Sequence, residues 1–215
     1  MARPAAMARP AIDIHNFRGV AASREPPVAS PAECGQSRRR GGNGIAEIGM
    51  LRTLAAALVL VCSSAAAWAD AASDCEKGGS NWQLRIRGCS AVIAQEPGAT
   101  WAYITRSYAY ERDGQYERAL ADGNRAVELD PQHPMAHINR AAAYIGLGDY
   151  TKAISDTERA IELDPQSAVA FVNRAYAYEQ LGARERAIAD YRRALEIDRN
   201  FQFAKDALKR LGATR

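Results

Sequence analysis

Two histidines have a spacing that can bind a metal ion on one face of a helix: His133 and His137 lie four residues apart. Pro134 lies between them and no third ligand accompanies them, so we interpret them as a turn residue and a half-buried packing residue. The sequence contains no phosphate loop, nucleophile elbow or dinucleotide-binding motif. We therefore predict no catalytic residue, no metal site and no cofactor, and a protein that is not an enzyme.

Charged residues that recur at a fixed spacing form a second chemical pattern. Side chains that recur in register are structural by default, because an active site occurs once in a chain. We expect the recurring arginines and aspartates to form bridges that fix adjacent helices. The recurring residues are Arg106, Arg140 and Arg174, and Asp122, Asp156 and Asp190.

Cys75 and Cys89 are the cysteines that lie outside the N-terminal range 1–69. An even pair in an exported segment is typical of one disulfide, and a loop of this length would stabilise the fold by about 3 kcal/mol. No histidine or further cysteine lies near them, which argues against a metal site. Two unrelated buried thiols are the alternative.

The N-terminal range 1–69 has the composition of segments that do not belong to a fold. Residues 1–49 are rich in Ala, Arg, Pro and Gly without a sustained apolar period, which predicts a disordered or wrongly assigned N-terminal extension. Residues 50–69 then have the order of a secretory signal peptide: Arg52, an apolar run over residues 54–62, and the small-residue sequence Ala67-Trp68-Ala69. A true long N-terminus followed by a membrane anchor is the alternative, but the apolar run is shorter than the roughly 20 residues that span a bilayer. We therefore expect translation to start at Met50, and a periplasmic or secreted protein without a membrane segment after cleavage.

The charge balance argues against a nucleic-acid partner. Residues 1–69 carry 8 basic and 4 acidic side chains, whereas residues 70–215 carry 20 basic and 21 acidic ones. A nucleic-acid-binding surface needs an excess of Lys and Arg, which the second segment does not have.

The elements that must position any site follow from an internal repeat. Residues 100–133, 134–167 and 168–201 form three consecutive units of equal length, of which the first two agree at 16 positions and the last two at 15. Apolar or small residues recur three, four and seven apart, which predicts two helices in each unit.

The shared positions have physical roles in such a helix pair. Small residues at the eighth place allow two helices to approach, and tyrosines at the eleventh place fill the space between helices. A glycine ends the first helix, since glycine readily takes the left-handed conformation, and the residue before proline ends the second. The small residues are Ser107, Ala141 and Ala175, the tyrosines are Tyr110, Tyr144 and Tyr178, the glycines are Gly114, Gly148 and Gly182, and the second helices end at Asp130-Pro131 and Asp164-Pro165. Alanines open the close-packed face of the second helix, at Ala119, Ala153 and Ala187.

This pattern closely resembles the tetratricopeptide repeat family. The resemblance implies an all-α fold, an α-solenoid of antiparallel helix pairs that forms a right-handed superhelix with a concave face. Gly123 departs from the family pattern, in which a large apolar residue is usual, and predicts looser packing of that helix pair.

The flanking segments are predicted caps, because a solenoid otherwise exposes a core layer at each end. Residues 70–99 look like a degenerate, disulfide-tied hairpin whose second helix covers residues 81–95, and residues 202–215 contain a capping helix that ends at Gly212. The segment from Gly88 to Ile93 also resembles exported tetratricopeptide proteins of proteobacteria.

In this family the side chains that face a ligand come mainly from the second, fifth, ninth, twelfth and thirteenth places of the first helix. The resemblance therefore implies an apolar and aromatic groove, in which Asn139 and Asn173 at the sixth place could hydrogen-bond a peptide backbone. Members that clamp a C-terminal carboxylate use Lys at the fifth place, where this chain has Ile or Val. The implied groove residues are Trp101, Ile104, Tyr108, Glu111, Arg112, Met135, Ile138, Ala142, Ile145, Gly146, Val169, Val172, Tyr176, Glu179 and Gln180.

Two functions are consistent with this groove. The first is an exported interaction module that binds a protein or peptide partner, and the second is a structural solenoid that forms homo-oligomers through the same apolar face. We expect Ile138→Ala to impair partner binding while destabilising the fold less than Tyr144→Ala, which would leave a cavity at a packing position.

We predict that the exported protein begins at Asp70 or Ala72, because small residues stand at the positions that signal peptidase reads before each of them. Mass spectrometry of the intact protein from the exported fraction tests this. A mature chain that retains residues 54–61 would refute the cleavage.

Overall fold

The structure, a computed structural model, describes residues 68–213. Within this range the chain is helical and contains no strand, and the predicted signal peptide and extension lie outside it apart from residues 68–69. Helix α1 comprises residues 68–77. The other helices are α2 Trp82–Gln95, α3 Thr100–Arg112, α4 Tyr116–Leu129, α5 Pro134–Leu147, α6 Tyr150–Leu163, α7 Ala168–Gln180, α8 Arg184–Ile197 and α9 Gln202–Arg210.

Each helix from α2 onward packs against the next one in the chain, which confirms the predicted solenoid of helix pairs. The first helices of the units, α3, α5 and α7, also contact each other along the stack. In the described range the second helices, α4, α6 and α8, make no comparable contact with one another. The stack therefore curves toward α3, α5 and α7, and these three helices line its concave face.

The helix ends lie where the sequence predicts them. Gly114, Gly148 and Gly182 follow the first helices with φ values of 76°, 84° and 76°, which is the left-handed conformation that glycine takes without strain. The second helices end just before an aspartate whose carboxylate accepts the backbone N–H two residues later. Asp198 does this as well, so α8 ends correctly although Arg199 replaces the proline of the other units.

A bidentate ion pair joins the two helices of every complete unit, as predicted. The guanidinium Nε and Nη2 of the first helix donate to both carboxylate oxygens of the second helix at 2.6–2.9 Å. The aspartates are buried, with side-chain exposures of 8–11%. The pairs are Arg106–Asp122, Arg140–Asp156 and Arg174–Asp190.

The degenerate hairpin α1–α2 is joined differently. Shifted by one period, the places of the ion pair are held by Ala72 and Gly88. A disulfide between Cys75 and Cys89 connects the two helices there, and both cysteines are fully buried beneath Trp101. The predicted disulfide is therefore present in the structure.

Gly123 packs closely against the next unit. A Cβ on this glycine would lie 3.0 Å from Cβ and 3.2 Å from Cα of Arg140. The missing side chain thus lets α4 approach the backbone of α5, whereas the expectation of looser packing between α3 and α4 stays a prediction.

We predict that Gly88→Ala destabilises the protein by about 1–3 kcal/mol, because the added methyl group must displace backbone. A Cβ on Gly88 would lie 2.6 Å from the backbone N of Cys75 and 2.7 Å from the carbonyl O of Ala71. Thermal or urea unfolding of the purified protein measures the effect.

Gly98→Ala is the matched control, since a Cβ at this exposed turn meets no atom within 4 Å. Equal stability of the two variants would show that α1 does not cross α2 at Gly88.

Candidate peptide-binding groove

The predicted groove residues divide into two groups by burial. Trp101, Ile104, Met135 and Tyr176 are half-buried, so part of each side chain remains available on the row of first helices. Seven others are buried within the row itself. This buried group consists of Tyr108, Ile138, Asn139, Ile145, Val169, Val172 and Asn173.

Ile138 is predicted from the sequence as a groove residue, but the structure buries it. Its side chain is 1% exposed, whereas Tyr144, the predicted packing residue, is half-buried beneath the ammonium of Lys152 at 5.3 Å. This burial argues against the expected order of stability losses, which unfolding of the two variants would test. Ile138→Ala removes a fully buried side chain and should cost about 2–5 kcal/mol.

The two asparagines at the sixth place have different environments. The Nδ2 atom of Asn139 donates to the backbone carbonyl of Ile104 at 2.8 Å, which ties α5 to α3. Asn173 stands in the same place one unit later and is 1% exposed, but neither its Nδ2 nor its Oδ1 has a hydrogen-bond partner in the described part of the chain. Its amide is therefore a buried donor and acceptor that the fold does not use.

An aromatic and cationic stack joins α2 to the C-terminal end of α3, and the sequence did not predict it. The guanidinium groups of Arg85 and Arg112 lie 5.8 and 5.4 Å from the centroid of the Trp82 ring. The Tyr108 ring meets the same indole edge-on at 5.7 Å. Trp82 lies one repeat period before Tyr116, and Tyr116 packs on Gly146 in the next layer. The repeat period therefore predicts that Trp82 also packs on the next layer.

At the other end of the row, Glu179 holds the capping helix in place. Its carboxylate accepts from Nε and Nη2 of Arg210 on α9 at 2.8–3.1 Å and from the Tyr191 hydroxyl on α8 at 3.0 Å. Burial raises the pKa of Tyr191, so the phenol stays protonated and donates this hydrogen bond.

Glu111 occupies the same repeat position in the first unit but has no such partners. In the described part of the chain, no side chain forms an ion pair or hydrogen bond with its carboxylate. Burial raises its pKa to about 7, and the nearby Arg112 charge only partly opposes this shift. Glu111 is thus an unpaired carboxyl group on the face of the first helices.

His133 and His137 lie at the start of α5. His137 is buried, with Nε2 3.0 Å from the Pro131 carbonyl and Nδ1 3.6 Å from an Asp156 oxygen. His133 precedes α5 in the turn. Over residues 68–213, no group of three or more His, Cys, Asp or Glu residues is placed to hold a metal ion, and no helix has the length and apolarity to cross a membrane.

We predict that the free energy of unfolding decreases as the pH rises from about 4.5 to about 7. The raised pKa means that folded Glu111 keeps a proton that the unfolded chain releases, so the stabilisation present at acidic pH is lost across this window. The loss is less than about 3 kcal/mol, since Glu111 is not wholly buried. Urea unfolding at several pH values measures it.

Glu111→Gln should flatten this part of the pH profile, whereas Glu117→Gln, which removes an exposed carboxylate on α4, should not. Identical profiles for the wild type and Glu111→Gln would contradict the assignment.

Comparison with known families and structures identifies the repeat. The family described as tetratricopeptide repeat matches residues 101–133, 134–167 and 168–201. No curated protein matches the sequence significantly.

Three solved structures show what this fold is similar to. The Arabidopsis OM64 TPR domain is 29% identical over 53% of this chain and 94% of its own, with a TM-score of 0.52. The first TPR of Spaghetti (RPAP3), bound to the HSP90 peptide SRMEEVD, is 28% identical over 53% of this chain and 90% of its own, with a TM-score of 0.50. TTC0263, a TPR protein of Thermus thermophilus, is 21% identical over 69% and 81% of the two chains, and its TM-score of 0.57 shows a shared fold alone. Residues 101–201 therefore consist of three consecutive repeats of the tetratricopeptide repeat family.

Proposed function

We propose that this protein is an exported interaction module that binds a peptide segment of a partner protein along its first helices. The tetratricopeptide repeats support a protein-interaction role in general. A related structure with 28% identity is described as bound to a peptide, which supports peptide binding by this fold. The signal-peptide pattern of residues 50–69 and the Cys75–Cys89 disulfide support export to an oxidising compartment.

The observation that carries the proposal is the unused amide of Asn173. A buried polar group without a hydrogen bond costs about 1–3 kcal/mol, so native proteins rarely keep one without a reason. An asparagine amide offers both a donor and an acceptor, which match the C=O and N–H of a peptide backbone. Asn139 uses its Nδ2 to bond backbone within the stack, whereas neither amide function of Asn173 is used within the described range.

The half-buried side chains of the first helices favour an apolar segment of the partner. Met135 and Tyr176 are half-buried on the same row, and Ile104 continues it toward the N-terminus. The fifth place holds Ile104, Ile138 and Val172, where carboxylate-clamping family members have Lys. The groove therefore favours internal apolar segments over a free C-terminal carboxylate.

We predict that Met135→Ala and Ile104→Ala weaken binding of a selected peptide by at least about tenfold each, because half-buried apolar anchors in a concave face are typical hot spots. The peptide comes from a random dodecapeptide display library selected on the purified full chain. Isothermal titration measures its affinity for each variant.

Glu128→Gln on the outward-facing helix α4 is the control, since Glu128 is exposed and its ion pair is with Arg125 on the same helix. Binding that survives both anchor changes would place the binding surface elsewhere. Light scattering of the same purified protein, with and without the peptide, tests the alternative of a structural solenoid that forms homo-oligomers. A stable oligomer that excludes the peptide would favour self-association through this face.

A further inference from the structure

In unit three, two side chains bond to the twelfth residue, and their repeat positions define the places to compare in the other units. In unit three these places are held by Arg210, the ninth residue of the next layer, and by Tyr191, the twenty-fourth residue of the same unit; both bond to Glu179. In unit two the twelfth residue is Ile145, which packs against Tyr176 in an apolar cluster. The same position is thus satisfied once by an ion pair and once by apolar contact.

Unit one has a glutamate at the twelfth place, as unit three has, but it lacks the arginine and tyrosine that bond to that glutamate. Glu111 corresponds to Glu179, but Ala142 stands in the place of Arg210 and Gly123 in the place of Tyr191. Arg112 is the nearest cation, yet its guanidinium is stacked on Trp82 and, in the described range, forms no ion pair with Glu111. A carboxylate in this position therefore lacks the guanidinium that the same fold supplies two layers away.

We propose that Glu111 receives a basic side chain of the bound partner, so that the groove selects apolar peptides carrying an arginine or lysine. This inference rests on the proposed peptide-binding function. The guanidinium of the partner would donate two hydrogen bonds to the carboxylate, as Nε and Nη2 of Arg210 do to Glu179.

The charge distribution supports a basic partner at this end of the stack. Residues 100–167 carry 7 basic and 11 acidic side chains, whereas residues 184–213 carry 8 basic and 5 acidic ones. A cationic peptide is therefore attracted to residues 100–167, which include Glu111, and repelled by residues 184–213.

The test uses the peptides selected from the random dodecapeptide library on the full chain. We expect enrichment of Arg or Lys, and we expect replacement of that arginine by citrulline, its neutral isostere, to weaken binding about tenfold. The same replacement should have little effect on binding to Glu111→Gln, while Glu117→Gln should behave like the wild type. Peptides that bind without any preference for a cation would overturn this inference and leave the groove function intact.

A second experiment first measures stability without a ligand, and it distinguishes the two proposals. Ala142→Arg introduces an arginine at the place that Arg210 holds beside unit three. It should raise the thermal midpoint of unfolding when Glu111 is present, and it should not do so in the Glu111→Gln background. It should also weaken binding of the arginine-containing peptide, because the carboxylate is then occupied. If no peptide binds the wild type, the groove function fails. If Ala142→Arg has the same effect on stability in both backgrounds, Glu111 is not a cation receptor.

Discussion

The bond between the two helices of each unit is the constraint on which the rest of the molecule depends. In the complete units it is a buried arginine–aspartate pair, and in the first two of them the arginine also bonds to a side chain of the preceding layer. Arg106 donates to Ser90, and Arg140 lies 3.3 Å from the side-chain oxygen of Asn124. One side chain thus sets the spacing of three helices. Loss of one partner would leave a buried charge, which costs about 3–5 kcal/mol, and this explains why the pair recurs without variation.

The N-terminal hairpin keeps the same geometry by covalent means. Ala72 and Gly88 cannot form the ion pair, and Gly88 instead allows the two backbones to approach while Cys75 and Cys89 join them. A short terminal layer has a neighbour on only one side and buries less apolar surface than an internal layer. A disulfide compensates for that loss most effectively where the chain folds in an oxidising compartment, which connects the structure of the cap to the proposed export.

Elements that depend on local chemistry were predictable from the sequence, and properties that depend on the next layer were not. The glycine and aspartate positions predict the helix ends, and the period predicts the ion pairs. The burial of Ile138, however, depends on side chains from adjacent layers, and the unused amide of Asn173 depends on geometry that Asn139 in the same repeat place does not share. The tight packing at Gly123 likewise depends on the approach of Arg140 from the next helix, which no local pattern encodes.

Repetition also separates what the fold requires from what a ligand requires. In a solenoid each unit contacts only its neighbours, so a position can change in one unit without affecting the others. The twelfth place is an isoleucine in a packed cluster in unit two and a paired glutamate in unit three, and both arrangements leave the stack intact. Neither packing nor pairing within residues 68–213 therefore accounts for an unpaired glutamate at this place in unit one. Desolvation of the Glu111 carboxylate destabilises the folded state at neutral pH. In the proposed complex a bound cation pairs with Glu111 and removes this destabilisation. The free energy lost in the free protein is thereby linked to the selectivity of the groove.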